Sequence, residues 1–242
     1  MNSCKNCNES INGNYCSNCG QPVILKKIDR AYVIHEIKDA LFSDRGFFYT
    51  TKQLFLRPGA SVRHYITEDR SRYVKPVTYL IITALIYTLA SHFFNIDFLT
   101  HFEIFEIQET PAPTMNRINR WIMDNMGYSG LITELYMAFW IRLFFRKSDY
   151  NLYEIFILLC YVSGIQLLFH SMALIPQAFI YSDSLNVSAC IATIYSFWAI
   201  GQFFDGKKTK NYLKAILSFI VGSLIIVLIS MIGSIVEVLI RQ

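Results

Sequence analysis

Tyr212 to Ile240 reads YLKAILSFIVGSLIIVLISMIGSIVEVLI, with Lys214 near its start, Glu237 near its end and no charge between them. About 20 consecutive apolar residues, wound as a helix, cross the ~30 Å hydrocarbon core of a bilayer. This run is longer than that, so it decides the fold class. Four further segments follow the same reading back along the chain. They are residues 187–204, residues 152–176, residues 131–145 and residues 77–94. The shortest, LITELYMAFWIRLFF at 131–145, is interrupted by Glu134 and Arg142. The sequence therefore predicts an all-α integral membrane protein of about five transmembrane helices, preceded by a small N-terminal Cys4 zinc ribbon.

Composition agrees. The 242 residues are 53% apolar and 15% aromatic, with 17% charged, where about 25% charged is ordinary for a soluble domain. The net charge of +4 is too small to argue for a nucleic-acid partner by itself. Residues 1–25 carry no apolar h-region, so the first span is expected to serve as the targeting element.

The basic residues orient the chain. Of the 22 Lys and Arg, a five-span reading places all but Arg117, Arg120 and Arg241 on one side. Cytoplasmic loops carry the excess of Lys and Arg. The expectation is a multi-pass protein of the cytoplasmic (inner) membrane, N-terminus cytoplasmic and C-terminus outside. Omitting the span at 131–145 would put FFRKSD on the wrong side, and this argues for keeping it.

The front of the chain, MNSCKNCNESINGNYCSNCGQ, holds Cys4, Cys7, Cys16 and Cys19 in two Cys-x-x-Cys pairs. Disulfides do not persist in a reducing cytoplasm, whereas four thiolates at this spacing suit a closed, tetrahedral, structural Zn²⁺. Asn8 and Gly20 follow the second cysteine of each pair and tolerate the left-handed backbone such knuckles need. Asn12-Gly13 is a hairpin-turn signal. A unit of about 20 residues has too little core to fold alone, so the metal would supply its folding energy. Asn8 to Tyr15 contains no Lys or Arg, which speaks against nucleic-acid binding by the ribbon.

The ribbon is assigned residues 1–25, cytosolic juxtamembrane amphipathic helices residues 26–76, and the transmembrane bundle residues 77–242. In the middle segment DRAYVIHEIKDALF predicts one helix and a second is expected from Thr51, followed by a Pro58-Gly59 turn and a third piece. Two readings stay open there: helices lying in the membrane interface, or a small bundle packing on itself. YCSNCGQ, DRGFFYTTKQLFLRPG and RSRYVKP, read together, resemble an uncharacterised bacterial family of multi-pass membrane proteins catalogued only as a domain of unknown function. The resemblance implies this architecture from end to end and imports no activity. The chain departs from the family's pattern at Glu68-Asp69-Arg70 and at Glu154-Ile155.

Ionisable and polar residues inside spans are functional candidates by default. Glu134, Gln166 and His170 form the candidate intramembrane polar site. The bland alternatives are an interhelical hydrogen bond for Gln166 and His170, which share a helix face, and a headgroup position for Glu134. Ser218-x3-Gly222 and Ser230-x3-Ser234 read as packing positions, Cys160 and Cys190 as ordinary buried residues. GQFFDGKK, Gly201 to Lys208, imitates a phosphate-binding loop but lacks its Ser or Thr. No catalytic residue is assigned.

Three readings of function follow. The first is a membrane-anchored zinc-ribbon scaffold, embedded in the lipid bilayer, that docks a cytosolic protein partner. The second is a membrane enzyme or transporter using the polar site. The third is nucleic-acid binding through the basic stretch 57–75.

Overall fold

The computed structural model describes residues 46–96, 126–180 and 183–240, together with Gly13, Ser17, Asn18 and Arg117. Residues 44–242 form one compact unit and residues 1–43 another. The described elements of the larger unit are helices only. They are α1 (Phe47–Leu56), α2 (Pro58–Thr67), α3 (Pro76–Phe94), α4 (Met126–Phe144), α5 (Leu152–Phe179), α6 (Ser184–Phe203) and α7 (Thr209–Ile240).

Four of these helices are long and apolar enough to cross a membrane: α3, α5, α6 and α7. Their outer surfaces support the same conclusion. Ile81, Leu85, Leu89 and Phe93 recur every fourth residue along α3 and are all more than half exposed. Soluble monomers rarely leave so continuous an apolar stripe bare. The chain is a membrane protein.

The expected count of five is thus corrected to four helices that qualify as spans by length and composition. The segment that does not qualify is 131–145. It is helical, within α4, but Glu134 and Arg142 interrupt a short apolar run, and α4 is not among the four helices that are long and apolar enough. Its role in the fold is nonetheless defined by direction. The start of α3 meets the middle of α5, where the Tyr161 hydroxyl donates to the Val74 carbonyl at 2.7 Å. The ends of the same two helices meet as well, with the Phe94 and Phe179 rings 5.9 Å apart. Helices α3 and α5 are therefore parallel neighbours, and the chain between them must return. Helix α4 makes that return, packed against α5 and α7 with Met137, Ala138 and Ile141 buried.

α5 is the hub. Residues on several of its faces, among them Ile155, Leu158, Tyr161, Gly164 and Leu174, are buried. A capping box fixes its start: Asn151 Oδ1 accepts from the Glu154 N–H at 2.9 Å, and Glu154 Oε2 accepts from the Asn151 N–H at 2.8 Å. The Glu154-Ile155 departure thus falls on a residue that starts the helix. Pro176, expected to end the span, lies inside α5 three residues before its end. Gly164 lets α3 approach; a Cβ there would stand 2.6 Å from the Tyr79 ring. On the far side Gly222 does the same for α4 and α7. A Cβ at Gly222 would meet Trp140 at 3.0 Å, and the Tyr136 hydroxyl donates to the Gly222 carbonyl at 2.6 Å. Ser218, Ser230 and Ser234 are buried as packing residues. Cys160 is buried too, whereas Cys190 is exposed on α6, correcting that expectation.

Of the segment 28–76, for which two readings are open, the structure describes residues 46–76, and α1 and α2 cover residues 47–67. The structure packs them on the helices that follow, α1 on α5 and α2 on both α5 and α6. Pro58 does not make a turn; it occupies the first helical position of α2, where its missing N–H costs nothing. The break falls at Arg57 instead.

Gly164→Ala is expected to destabilise the protein by about 1–3 kcal/mol through overpacking against Tyr79. Gly130→Ala, where a Cβ meets nothing within 4 Å, should be neutral or stabilising. Thermal unfolding of the two variants in detergent checks the contrast.

Candidate functional site

One end of the unit gathers α1, α2, the turn from α4 to α5 and the turn from α6 to α7. The residues that hold this end together come from distant parts of the sequence. Gly59 sits against the last turn of α6, where a Cβ would overlap the backbone of Gln202 and Phe203. Its N–H donates to Gln202 Oε1 at 3.1 Å. Arg63, one turn later, donates from Nη1 to the Phe203 carbonyl at 2.9 Å and also to the Gln202 carbonyl. The last carbonyls of a helix have no partner within it and carry the negative end of its dipole. A guanidinium satisfies both needs. Tyr195 completes the clamp from α6, its buried hydroxyl donating to the Leu54 carbonyl of α1 at 2.9 Å.

An aromatic cluster continues from this clamp. Tyr65 and Tyr79 each lie against Tyr161, with ring centroids 5.6 and 5.7 Å away. The Thr51 and Tyr79 hydroxyls are 3.0 Å apart, and Thr50 accepts from the Val74 N–H at 3.0 Å. Burial raises the Tyr65 and Tyr73 hydroxyls above the ordinary phenol range, so both remain neutral.

Beside the clamp lies a cleft of about 800 Å³, lined by Arg57 at the α1–α2 break, Arg63 from α2, Asp149 and Tyr150 from one turn, and Asp205 and Lys207 from the other. Its charges are mixed. Asp205 holds a left-handed backbone with φ 84°, a conformation Asp tolerates better than most residues. Its carboxyl is held below the usual range by the hydrogen bond from the Lys208 ammonium and then by the Lys207 N–H. Burial pushes the Tyr150 hydroxyl up, opposed by the Arg63 charge nearby.

The residues singled out from sequence lie elsewhere. Gln166 Nε2 donates to Ser196 Oγ at 2.6 Å, and His170 Nδ1 is 2.8 Å from Ser188 Oγ. Both therefore bond across the α5–α6 seam. Glu134 accepts a short hydrogen bond from Ser163 Oγ and so sits on the α4–α5 seam. None of the three lines the cleft beside the clamp. Cys4, Cys7, Cys16 and Cys19 lie outside the described residues. Among the described residues, no group of three or more His, Cys, Asp or Glu could hold a metal ion.

With this geometry in place the comparisons become readable. Residues 44–88 match the family model described as "Protein of unknown function (DUF3667)". The resemblance read from the sequence holds over this stretch. No curated protein and no solved structure matches the chain. The DUF3667 match spans α1, α2 and most of α3, so it takes in Gly59, Arg63 and Tyr79. Sequence reasoning singled out RPG as part of a family word but missed what it does. Gln202, its partner, lies 143 residues away from Gly59, and nothing local marks the pairing.

Gly59→Ala is expected to lower stability by about 1–3 kcal/mol. Arg63→Gln should cost a similar amount, because hydrogen bonds from charged donors are worth about 1.5–3 kcal/mol. Detergent unfolding midpoints measure both.

Proposed function

We propose that this protein is a membrane-anchored scaffold whose N-terminal zinc ribbon docks a cytosolic protein. In this reading the four thiolates of Cys4, Cys7, Cys16 and Cys19 hold one structural Zn²⁺, a donor set that leaves no position for a catalytic water. The metal contributes folding energy to residues 1–25 and no chemistry. The observation that carries the reading is the clamp of α1 and α2 on α6 through Gly59, Arg63 and Tyr195. It gives the chain behind the ribbon a fixed point of departure, as a display platform needs.

The clamped end is assigned to the cytoplasm because Arg57, Arg63, Lys147, Lys207, Lys208 and Lys210 all gather there. Helix α7 starts at that end, and its 32 residues rise about 48 Å, which supports a C-terminus on the outer side of the cytoplasmic membrane. Arg63 spends its charge on α6 carbonyls, which weighs against the basic stretch 57–75 as a nucleic-acid surface.

The full chain in mild detergent should carry about one zinc per molecule by elemental mass spectrometry. The Cys16→Ser, Cys19→Ser form should carry none and still insert. A cytosolic protein should co-purify with the first and not the second, and should rebind the first when purified. Identical companions for both forms would remove the docking role.

A further inference from the structure

A second cleft, of about 380 Å³, opens at the same end between the close of α4 and the start of α7. Lys147, Lys208, Lys210 and Lys214 line it, with Ser148 and Phe145, and no carboxylate is among its lining residues. Lys208 is paired at the rim with Asp205, 3.1 Å away. Lys147, Lys210 and Lys214 have no carboxylate partner among the described residues. Lys214 is half-buried, with its ammonium 5.4 Å from the centre of the Phe145 ring.

The fold builds this convergence. Phe145 stacks on Phe204 with centroids 3.8 Å apart. Asn211 donates to the carbonyls of Phe204 and Asp205, tying the start of α7 to the end of α6. The Ser148 hydroxyl oxygen is buried and makes no hydrogen bond among the described residues. Lysines needed only to orient a membrane protein can spread into water; these four surround one cavity whose floor is fixed. Mutual repulsion of such charges is offset when an anion sits among them.

The ligand's second property comes from the flanks. Leu143 at the end of α4 and Leu213 and Leu217 in the first turns of α7 are each about half exposed. Exposed apolar helix surface thus lies close to the cationic cleft. A phosphate group in water would use the first feature, and a phospholipid would use both. Basic pockets beside membrane helices suit anionic headgroups.

We propose that the α4–α7 cleft seats the phosphate of an anionic phospholipid, with its acyl chains along the apolar faces of α4 and α7. The test is native mass spectrometry of the full chain in neutral detergent, titrated with phosphatidylglycerol, phosphatidylcholine or inorganic phosphate. Phosphatidylglycerol should bind tighter than phosphatidylcholine, and millimolar phosphate should not displace it. Lys210→Gln with Lys214→Gln should weaken the first phosphatidylglycerol about thirtyfold. Lys52→Gln with Lys75→Gln, which removes the same charge away from the cleft, should leave that affinity unchanged, and Lys210→Arg with Lys214→Arg should retain it. Equal losses in the two glutamine pairs would reduce the effect to diffuse charge and overturn the site. Equal affinity for the two lipids would also overturn it. Displacement by inorganic phosphate would overturn the lipid as its source.

Discussion

The carbonyls that close α6 have no N–H donors to meet inside their own helix, and Arg63 reaches across from α2 to donate to two of them. Much of the architecture depends on that capture. It requires α2 to lie close against α6, which only a residue without a Cβ permits at Gly59. It also places α1 where Tyr195 can bond the Leu54 carbonyl. A charged side chain spent on backbone groups is an unusual use of an arginine before a membrane span, where snorkelling to lipid phosphate is the common fate. Here it converts two amphipathic helices from surface riders into a cap.

The membrane helices are joined by a different chemistry. Without a hydrophobic driving force between helices in lipid, close approach and interhelical hydrogen bonds must hold them. Gly164 and Gly222 supply the approach. Tyr136, Tyr161, Gln166 and His170 supply the bonds, each to a neighbouring helix or the segment leading into it. The parallel pairing of α3 with α5 then forces a return path, and α4 fills it. Its carboxylate, Glu134, is tolerable there because Ser163 donates to it. The polar residues of the bundle are thereby engaged in its assembly.

What could be read in the sequence follows from how local each cause is. Apolar runs of membrane length announce α3, α5, α6 and α7, since hydropathy needs no partner to be seen. The segment at 131–145 is the hard case, because charge placement argues for a span while Glu134 and Arg142 interrupt its apolar run. Its helix exists, but its composition does not match the other four. Pro58 and Pro176 do not break their helices: the first starts α2, where a missing N–H costs nothing, and the second lies inside α5 three residues before its end, at the cost of one backbone hydrogen bond. The clamp was invisible, because Arg63 and the residues it binds are about 140 positions apart. The two Cys-x-x-Cys pairs read as a metal signal from spacing alone, and their four cysteines lie outside the described residues.

The same end of the molecule therefore combines a docked cap, a mixed-charge cleft and a lysine-lined cleft beside exposed apolar helix. The central claim is that α1 and α2 are part of the bundle and do not ride on the lipid surface. Hydrogen–deuterium exchange of the full chain in lipid nanodiscs, followed by mass spectrometry of peptides covering residues 47–67, tests it most directly. Protection of those amides over minutes to hours, of the same order as peptides from α5, is the predicted result. Complete exchange of residues 47–67 on the order of seconds, while α5 stays protected, would contradict the account.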